Sequence, residues 1–159
     1  MVKKVKKKVY LISLIGLIID FLTKLFISSK LSLGQSKTII NNFFSLTLVH
    51  NKGAAWGLLF DKVNLLLIIS IVFLVLFIYM IEKNELKKYE EISYGLIIAG
   101  VVGNMIDRLF RGYVIDFLDF NIFGYNYPVF NIADTLIVTG VIIVIVFYIK
   151  ELFVKWKKD

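Results

Sequence analysis

Five aspartates lie beside or within apolar stretches of the chain, and they are the side chains best suited to do chemistry there. They are Asp20, Asp107, Asp116, Asp119 and Asp134. A carboxylate close to a membrane core is costly, so such residues usually have a functional or packing role. Asp134 stands near the start of a long apolar run, and Asn131 lies three residues before it. The sequence therefore points to carboxylate chemistry.

Other catalytic sets find little support. The chain has no cysteine, which excludes a thiol nucleophile, a thiolate metal site and a disulfide framework. The one histidine, His50, has no evident serine and acid partners for a triad and no ligand spacing for a metal. Two carboxylates held close together can still hydrolyse a peptide bond, because one takes a proton from water while the other donates one to the scissile carbonyl. This chemistry needs no metal and no cofactor.

Two of the five acids have a cation close by in the sequence. Lys24 follows Asp20 by four residues, and Arg108 follows Asp107 directly. Both acids are therefore expected to stay ionised and to do structural or positioning work. Asp20 and Lys24 can form an ion pair near the helix end, with Lys24 extended to the membrane interface. A role at the entrance to a functional site is an equally good interpretation. For Asp107, a buried ion pair that fixes helix packing explains much of the pattern.

The remaining acids lack so close a cation. Asp116 and Asp134 lie near the two ends of one loop, which makes a facing pair geometrically reasonable, although the sequence does not establish contact. Asp119 is a possible substitute for Asp116. The residues alone leave that choice open.

The composition predicts a membrane protein that must position these acids. Of 159 residues, 58% are hydrophobic and 19% are charged, and the mean hydropathy is positive, which is too apolar for an ordinary soluble domain. We expect an all-α polytopic membrane protein that forms one domain over residues 1–159. Its four transmembrane helices are predicted at about 9–28, 63–81, 92–110 and 131–153. The net charge of +7 is attributed to orientation signals rather than to nucleic-acid binding.

The third helix carries a polar cluster at its end. Asn104, Asp107 and Arg108 are spaced to share one helical face. Small residues lie near that face and would let another helix approach closely. They are Ala99, Gly100 and Gly103. Such a cluster is expected to face protein rather than lipid.

The outer loops are predicted at about 29–62 and 111–130. The first contains a possible hairpin, because residues 38–40 and the alternating residues 45–48 flank the turn signal Asn41-Asn42. Residues 51–57 follow, with small residues that permit close backbone approach and Trp56 suited to the headgroup level as an interfacial anchor. The second loop has loop character from residue 112 to 128. We expect a small extracytoplasmic β-rich subdomain with an interfacial loop or helix.

The distribution of cations predicts the orientation. Twelve lysines lie in the head, in the loop 82–91 and in the tail, against five cations in the two outer loops: Lys30, Lys37, Lys52, Lys62 and Arg111. Because positive residues concentrate on the cytoplasmic side, both termini are placed in the cytoplasm. The polar clusters then converge on the outer face.

Five motifs, in this order, resemble those of the bacterial lipoprotein signal peptidases (signal peptidase II). They are D-x-x-T-K at residues 20–24, N-x-G-A-A-W-G at 51–57, G-N-x-x-D-R at 103–108, V-I-D-F at 114–117 and F-N-I-A-D at 130–134. The resemblance covers nearly the whole chain. Thr135 stands where the family often has serine.

The resemblance implies an aspartyl endopeptidase of the bacterial plasma membrane that cuts prolipoproteins before a diacylglyceryl-modified cysteine. It implies Asp116 and Asp134 as the catalytic dyad, near the extracytoplasmic face. Supporting or substrate-binding roles would fall to Asp20, Lys24, Asn51, Gly53, Ala54, Asn104, Asp107, Arg108, Asn131 and Ala133. The implied partners are lipidated prolipoprotein signal peptides, membrane lipids and inhibitors of the globomycin type, with no nucleic acid and a monomeric enzyme.

The sequence is also compatible with two other classes of membrane protein. A proton-coupled transporter also places charged residues inside helices, but it usually has more helices or an internal repeat. A non-catalytic assembly or lipid-binding protein would use the polar cluster only to pack helices, and its carboxylates at positions 116 and 134 would then lie far apart.

Overall fold

The structure is a computed structural model that describes residues 6–54 and 58–156. It contains four helices, α1 (Lys7–Lys30), α2 (Val63–Lys83), α3 (Lys88–Arg111) and α4 (Ile132–Trp156), and four strands, β1 (Ser36–Ile40), β2 (Phe44–Asn51), β3 (Val114–Ile122) and β4 (Tyr125–Asn126). Several residues singled out in the sequence lie outside the described residues: Lys3, Lys4, Ala55, Trp56, Gly57, Lys157 and Lys158. Helices α1 and α3 extend past both ends of their predicted spans, whereas α2 and α4 extend only past the C-terminal end.

All four helices are long and apolar enough to cross a membrane. Helix α3 is the central one, because it packs against each of the other three. Half of the residues in the most apolar stretch of α3 are buried, against 6% of those in the most apolar stretch of α2. Helix α2 therefore presents most of its surface to its surroundings, as a lipid-facing helix does.

Small residues set the spacing of α3 from its neighbours, as the sequence predicts. A Cβ on Gly100 would collide with the backbone oxygen of Ala133 in α4. A Cβ on Gly103 would lie 2.5 Å from Oδ2 of Asp20 in α1. The close approach of both helices to α3 therefore depends on these glycines, which lack the atom that would collide.

The strands form one antiparallel sheet in the order β1-β2-β3-β4. The predicted hairpin is confirmed, with Thr38 paired with Ser45 across β1 and β2. The prediction of loop character for residues 112–128 is wrong, because β3 runs through nine of these residues. Its first four residues are buried, so the alternation that identifies a half-exposed strand is missing there.

The sheet is joined to the bundle at two places. Beneath it, four buried apolar side chains form one cluster: Ile27, Leu48, Ile115 and Phe117. Above the start of α4, the N–H of Leu118 donates to the carbonyl of Phe130 at 2.7 Å, and the N–H of Phe130 donates back at 3.1 Å. This small ladder fixes the entry to α4 against β3 and so brings residues 116 and 134 into one region.

Gly100→Ala tests the role of the close helix contact. The added methyl must displace the start of α4, and overpacking of this kind costs about 1–3 kcal/mol. We expect a thermal unfolding midpoint in detergent several degrees below that of the wild type. Val138→Ile is the matched control, since it adds one carbon at an exposed position of α4. Equal midpoints for the two variants would contradict the packing argument.

Candidate active site

Asp116 lies on β3 in a buried position, with 2% of its surface exposed. Its carboxylate accepts hydrogen bonds from two amide groups, Asn51 Nδ2 at 2.8 Å and Asn131 Nδ2 at 2.6 Å. Burial, and then the nearby charge of Asp134, raise the pKa of Asp116 to about 7, although both amide hydrogen bonds act in the opposite direction. Asp116 can therefore carry a proton near neutral pH.

Asp134 occupies the first turn of α4 and takes part in a reciprocal cap of that helix. The backbone N–H of Asp134 donates to Asn131 Oδ1 at 2.9 Å, and the backbone N–H of Asn131 donates to Asp134 Oδ2 at 3.2 Å. An Asn and an acid three residues apart at a helix start are well suited to this capping box. The other oxygen, Oδ1, accepts from Asn104 Nδ2 at 2.8 Å. The carboxylate is thereby held from both the helix start and α3.

One side chain links the two acids. Asn131, fully buried, donates to Asp116 through Nδ2 and accepts from the N–H of Asp134 through Oδ1. Its Nδ2 also lies 3.1 Å from Asn104 Oδ1. The structure thus brings Asp116, Asp134, Asn104 and Asn131 together.

A buried charge network lies behind this group. Lys24 Nζ is 2.9 Å from Asp20 Oδ2 and 3.0 Å from Asp107 Oδ2, and it donates to Asn104 Oδ1 at 3.1 Å. The i,i+4 pairing of Lys24 with Asp20 is confirmed, but Lys24 does not extend to the interface, since only 3% of its side chain is exposed. Asp20 Oδ1 accepts the N–H of Ala133 at 2.8 Å.

The expected partner of Asp107 is wrong. Arg111, not Arg108, pairs with it, with Nε 3.1 Å from Oδ1. Asp107 Oδ2 also accepts the N–H of Ile115 at 3.2 Å. Arg111 lies four residues after Asp107, the helical spacing of an ion pair, and that signal was available in the sequence.

Arg108 serves a different element. Its guanidinium donates to the carbonyl of Gly53 at 3.1 Å and to that of Asn104 at 3.4 Å. It also interacts electrostatically with Asp134 and Asp116. Gly53 is further held by its N–H, which donates to Asn51 Oδ1 at 2.8 Å. Arg108 therefore ties the loop after β2 to the acids.

Ala54 closes a short turn in the same loop. Its N–H donates to the carbonyl of Leu58 at 2.8 Å, and Gly53 also lies close to that carbonyl, because a Cβ on Gly53 would be 2.9 Å from its oxygen. Residues 51–54 thus lie beside the acids with a defined backbone path.

Two other residues considered in the sequence lie apart from this group. Asp119 accepts a hydrogen bond of 2.6 Å from the hydroxyl of Thr47, on β2. His50 stacks on Tyr113 with ring centroids 3.7 Å apart. Burial and the charge of Arg111 lower the pKa of His50. These contacts favour a structural role for both.

The polar groups of the site are fully partnered. Within residues 6–54 and 58–156, no buried side-chain nitrogen or oxygen lacks a hydrogen bond, and no group of three or more His, Cys, Asp or Glu residues could hold a metal ion. The arrangement offers two carboxylates in one buried, amide-rich environment, which suits acid–base catalysis on a water molecule.

Comparison with known proteins agrees with this geometry. The family model of Signal peptidase (SPase) II matches residues 12–150. A lipoprotein signal peptidase of Staphylococcus haemolyticus (strain JCSC1435) is 43% identical, over 92% of this chain and 96% of its own length. One of Staphylococcus aureus (strain JH9) is 38% identical, over 94% of this chain and 92% of its own.

Solved structures give the same result. A bacterial membrane enzyme determined by the in meso method at 2.3 Å resolution superposes with a TM-score of 0.86 at 37% identity, covering 94% of this chain and 92% of that chain. A second, at 1.9 Å resolution, gives 0.83 at 38% identity, covering 93% and 96%. The chain belongs to the signal peptidase II family, the lipoprotein signal peptidases, which are aspartic peptidases.

Proposed function

We propose that this lipoprotein signal peptidase removes the signal peptide from diacylglyceryl-modified prolipoproteins, cutting on the N-terminal side of the lipidated cysteine, with Asp116 and Asp134 as the catalytic pair. The observation that carries the proposal is that both carboxylates accept hydrogen bonds from Asn131, Asp116 from its side-chain Nδ2 and Asp134 from its backbone N–H. A protein that used these acids only to pack helices would have no need to hold both on one residue. Asp119 lacks that link and is engaged by Thr47 instead.

One proton shared by the pair gives each acid its role. Asp116, whose pKa is raised to about 7, carries the proton and donates it to the scissile carbonyl oxygen. We assign the ionised role to Asp134, because it lies in the first turn of α4, accepts a hydrogen bond from Asn104 Nδ2 and interacts with the charge of Arg108. It takes a proton from water as the water oxygen attacks the carbonyl carbon. When the tetrahedral intermediate collapses, Asp134 gives its proton to the leaving amine of the cysteine and Asp116 takes a proton back from a hydroxyl of the intermediate, which restores the pair.

The substrate is proposed to enter sideways from the bilayer, with its acyl chains against the apolar helix faces. Residues 51–54, held by Arg108, lie beside the two acids and would cover the cut site. The lysine distribution in the sequence places both termini in the cytoplasm and the site near the extracytoplasmic face of the plasma membrane. A monomer is sufficient, since the acids and all the partners described for them come from one chain. Globomycin-type inhibitors would bind at the same site, beside Asp116 and Asp134.

Asp116→Asn and Asp134→Asn test the catalytic pair. Each removes one acid–base group with little change in size, and we expect turnover of a lipidated precursor to fall by at least about a hundredfold. Thermal unfolding in detergent verifies that the variants are folded. Asp119→Asn is the matched control from the same strand and should keep most of the activity. Wild-type turnover in either dyad variant would rule out the assignment.

The pH profile of turnover tests the shared proton. The pKa of Asp116 is raised to about 7 by burial and by Asp134, while Asn51, Asn131 and the charge of Lys24 act to lower it. The proton is therefore held below about pH 7 and lost above it, which leaves two ionised carboxylates. We expect the rate to fall about tenfold per pH unit above 7, measured by single-turnover cleavage. A rate that stays constant up to pH 9 would contradict this role of Asp116.

Matched precursors test whether the enzyme recognises the lipid on its substrate. A diacylglyceryl-modified precursor and its unlipidated form share one sequence, so only the lipid differs between them. We expect cleavage of the modified precursor at the bond before the cysteine and little cleavage of the other, because acyl-chain burial contributes about 0.8 kcal/mol per CH₂ group. Equal rates for both forms would show that the lipid is not recognised.

A further inference from the structure

A cleft lies between the start of α3 and the end of α4, at the end of the bundle opposite to Asp116 and Asp134. Its volume is about 580 Å³. Cationic, aromatic and acidic side chains line it: Lys87, Tyr89, Phe147, Lys150, Glu151 and Lys155. None of these residues takes part in the site described above, where Asp116 lies on β3 and Asp134 at the start of α4.

The wall of the cleft is ordered by one carboxylate. Glu151 forms an ion pair with Lys87 and accepts a hydrogen bond from the Tyr89 hydroxyl at 3.2 Å. The ring of Tyr89 stacks on Phe147 with centroids 4.7 Å apart and an interplanar angle of 9°. These contacts connect α3 to α4 and hold the aromatic pair as one side of the cleft.

The charge of Glu151 is thereby satisfied, and two cations remain beside it. Lys150 and Lys155 line the cleft, and neither forms an ion pair within 4 Å in the part of the chain that the structure describes. Three lysines against one glutamate give the cleft a net charge of +2. It is therefore suited to an anion.

The depth of the cleft fits a lipid headgroup. Lys150 lies 18 residues beyond Ile132 at the start of α4, a rise of about 27 Å at 1.5 Å per residue, which is close to the thickness of the hydrocarbon core. Phe147, one turn closer to the bilayer centre, offers an apolar face at the level of acyl chains. Basic clefts between helices at this level are suited to anionic lipid headgroups.

We propose that this cleft binds an anionic phospholipid, with Lys150 and Lys155 contacting its phosphate and Phe147 contacting an acyl chain. The inference does not depend on the peptidase reaction. The orientation proposed above only assigns the lipid to the cytoplasmic leaflet. Binding there would join the ends of α3 and α4 while leaving the acids at the other end free for substrate.

Native mass spectrometry of the full-length protein tests the proposal. Phosphatidylglycerol and phosphatidylcholine with identical acyl chains are compared on the wild type, on Lys150→Gln/Lys155→Gln, and on Lys7→Gln/Lys83→Gln. The last variant removes the same charge at the same end of the bundle but outside the cleft. We expect about 25-fold weaker binding of phosphatidylglycerol to the cleft variant only, since each basic residue near an anionic surface contributes roughly fivefold and the variant removes two.

Further arms exclude the competing explanations. Inorganic phosphate at the same concentration should show no binding. If inorganic phosphate binds as well as phosphatidylglycerol does, the cleft is a site for free anions and the lipid proposal is overturned. Equal loss in both double variants, or equal binding of the two lipids, would overturn it as well. Lys150→Arg/Lys155→Arg should keep the binding. Unchanged peptidase turnover and unfolding midpoint in the cleft variant show that any loss is not a folding defect.

Discussion

Lys24 places one positive charge between two buried carboxylates, and each of those carboxylates holds the backbone next to a proposed catalytic acid. Asp20 accepts the N–H of Ala133, the residue before Asp134. Asp107 accepts the N–H of Ile115, the residue before Asp116. Removing one partner from such a buried pair typically costs 3–5 kcal/mol, because the other charge is left uncompensated. The position of both acids therefore depends on a charge that does not touch either of them.

The network also explains why three of the acids have different surroundings. Asp20 and Asp107 lie within 3.0 Å of an ammonium group, so each carboxylate faces a full positive charge. Asp116 receives only neutral amide donors, from Asn51 and Asn131. Amide hydrogen bonds orient a carboxylate without supplying a full charge, and burial then raises its pKa. The nearest partners thus separate the ion-paired Asp20 and Asp107 from Asp116, for which an acid–base role is proposed.

Much of this arrangement could be predicted from the chain. The apolar runs indicate four helices, and the spacing of Asn131 and Asp134 is that of a capping box. The catalytic roles of Asp116 and Asp134 remain a proposal, but their separation from the paired acids follows from counting nearby cations. Small residues such as Gly100 indicate where helices meet, because only a missing side chain permits that contact.

The errors have physical causes. Strand β3 was hidden because its buried residues do not alternate with exposed ones. Arg108 is the wrong ion-pair partner for Asp107 because residues one apart on a helix point to different faces, whereas Arg111 is four residues away on the same face. Arg108 is thereby available to hold Gly53. The two arginines thus connect the end of α3 to different elements: Arg111 pairs with Asp107, which holds the N–H of Ile115 in β3, and Arg108 holds the carbonyl of Gly53 in the loop after β2.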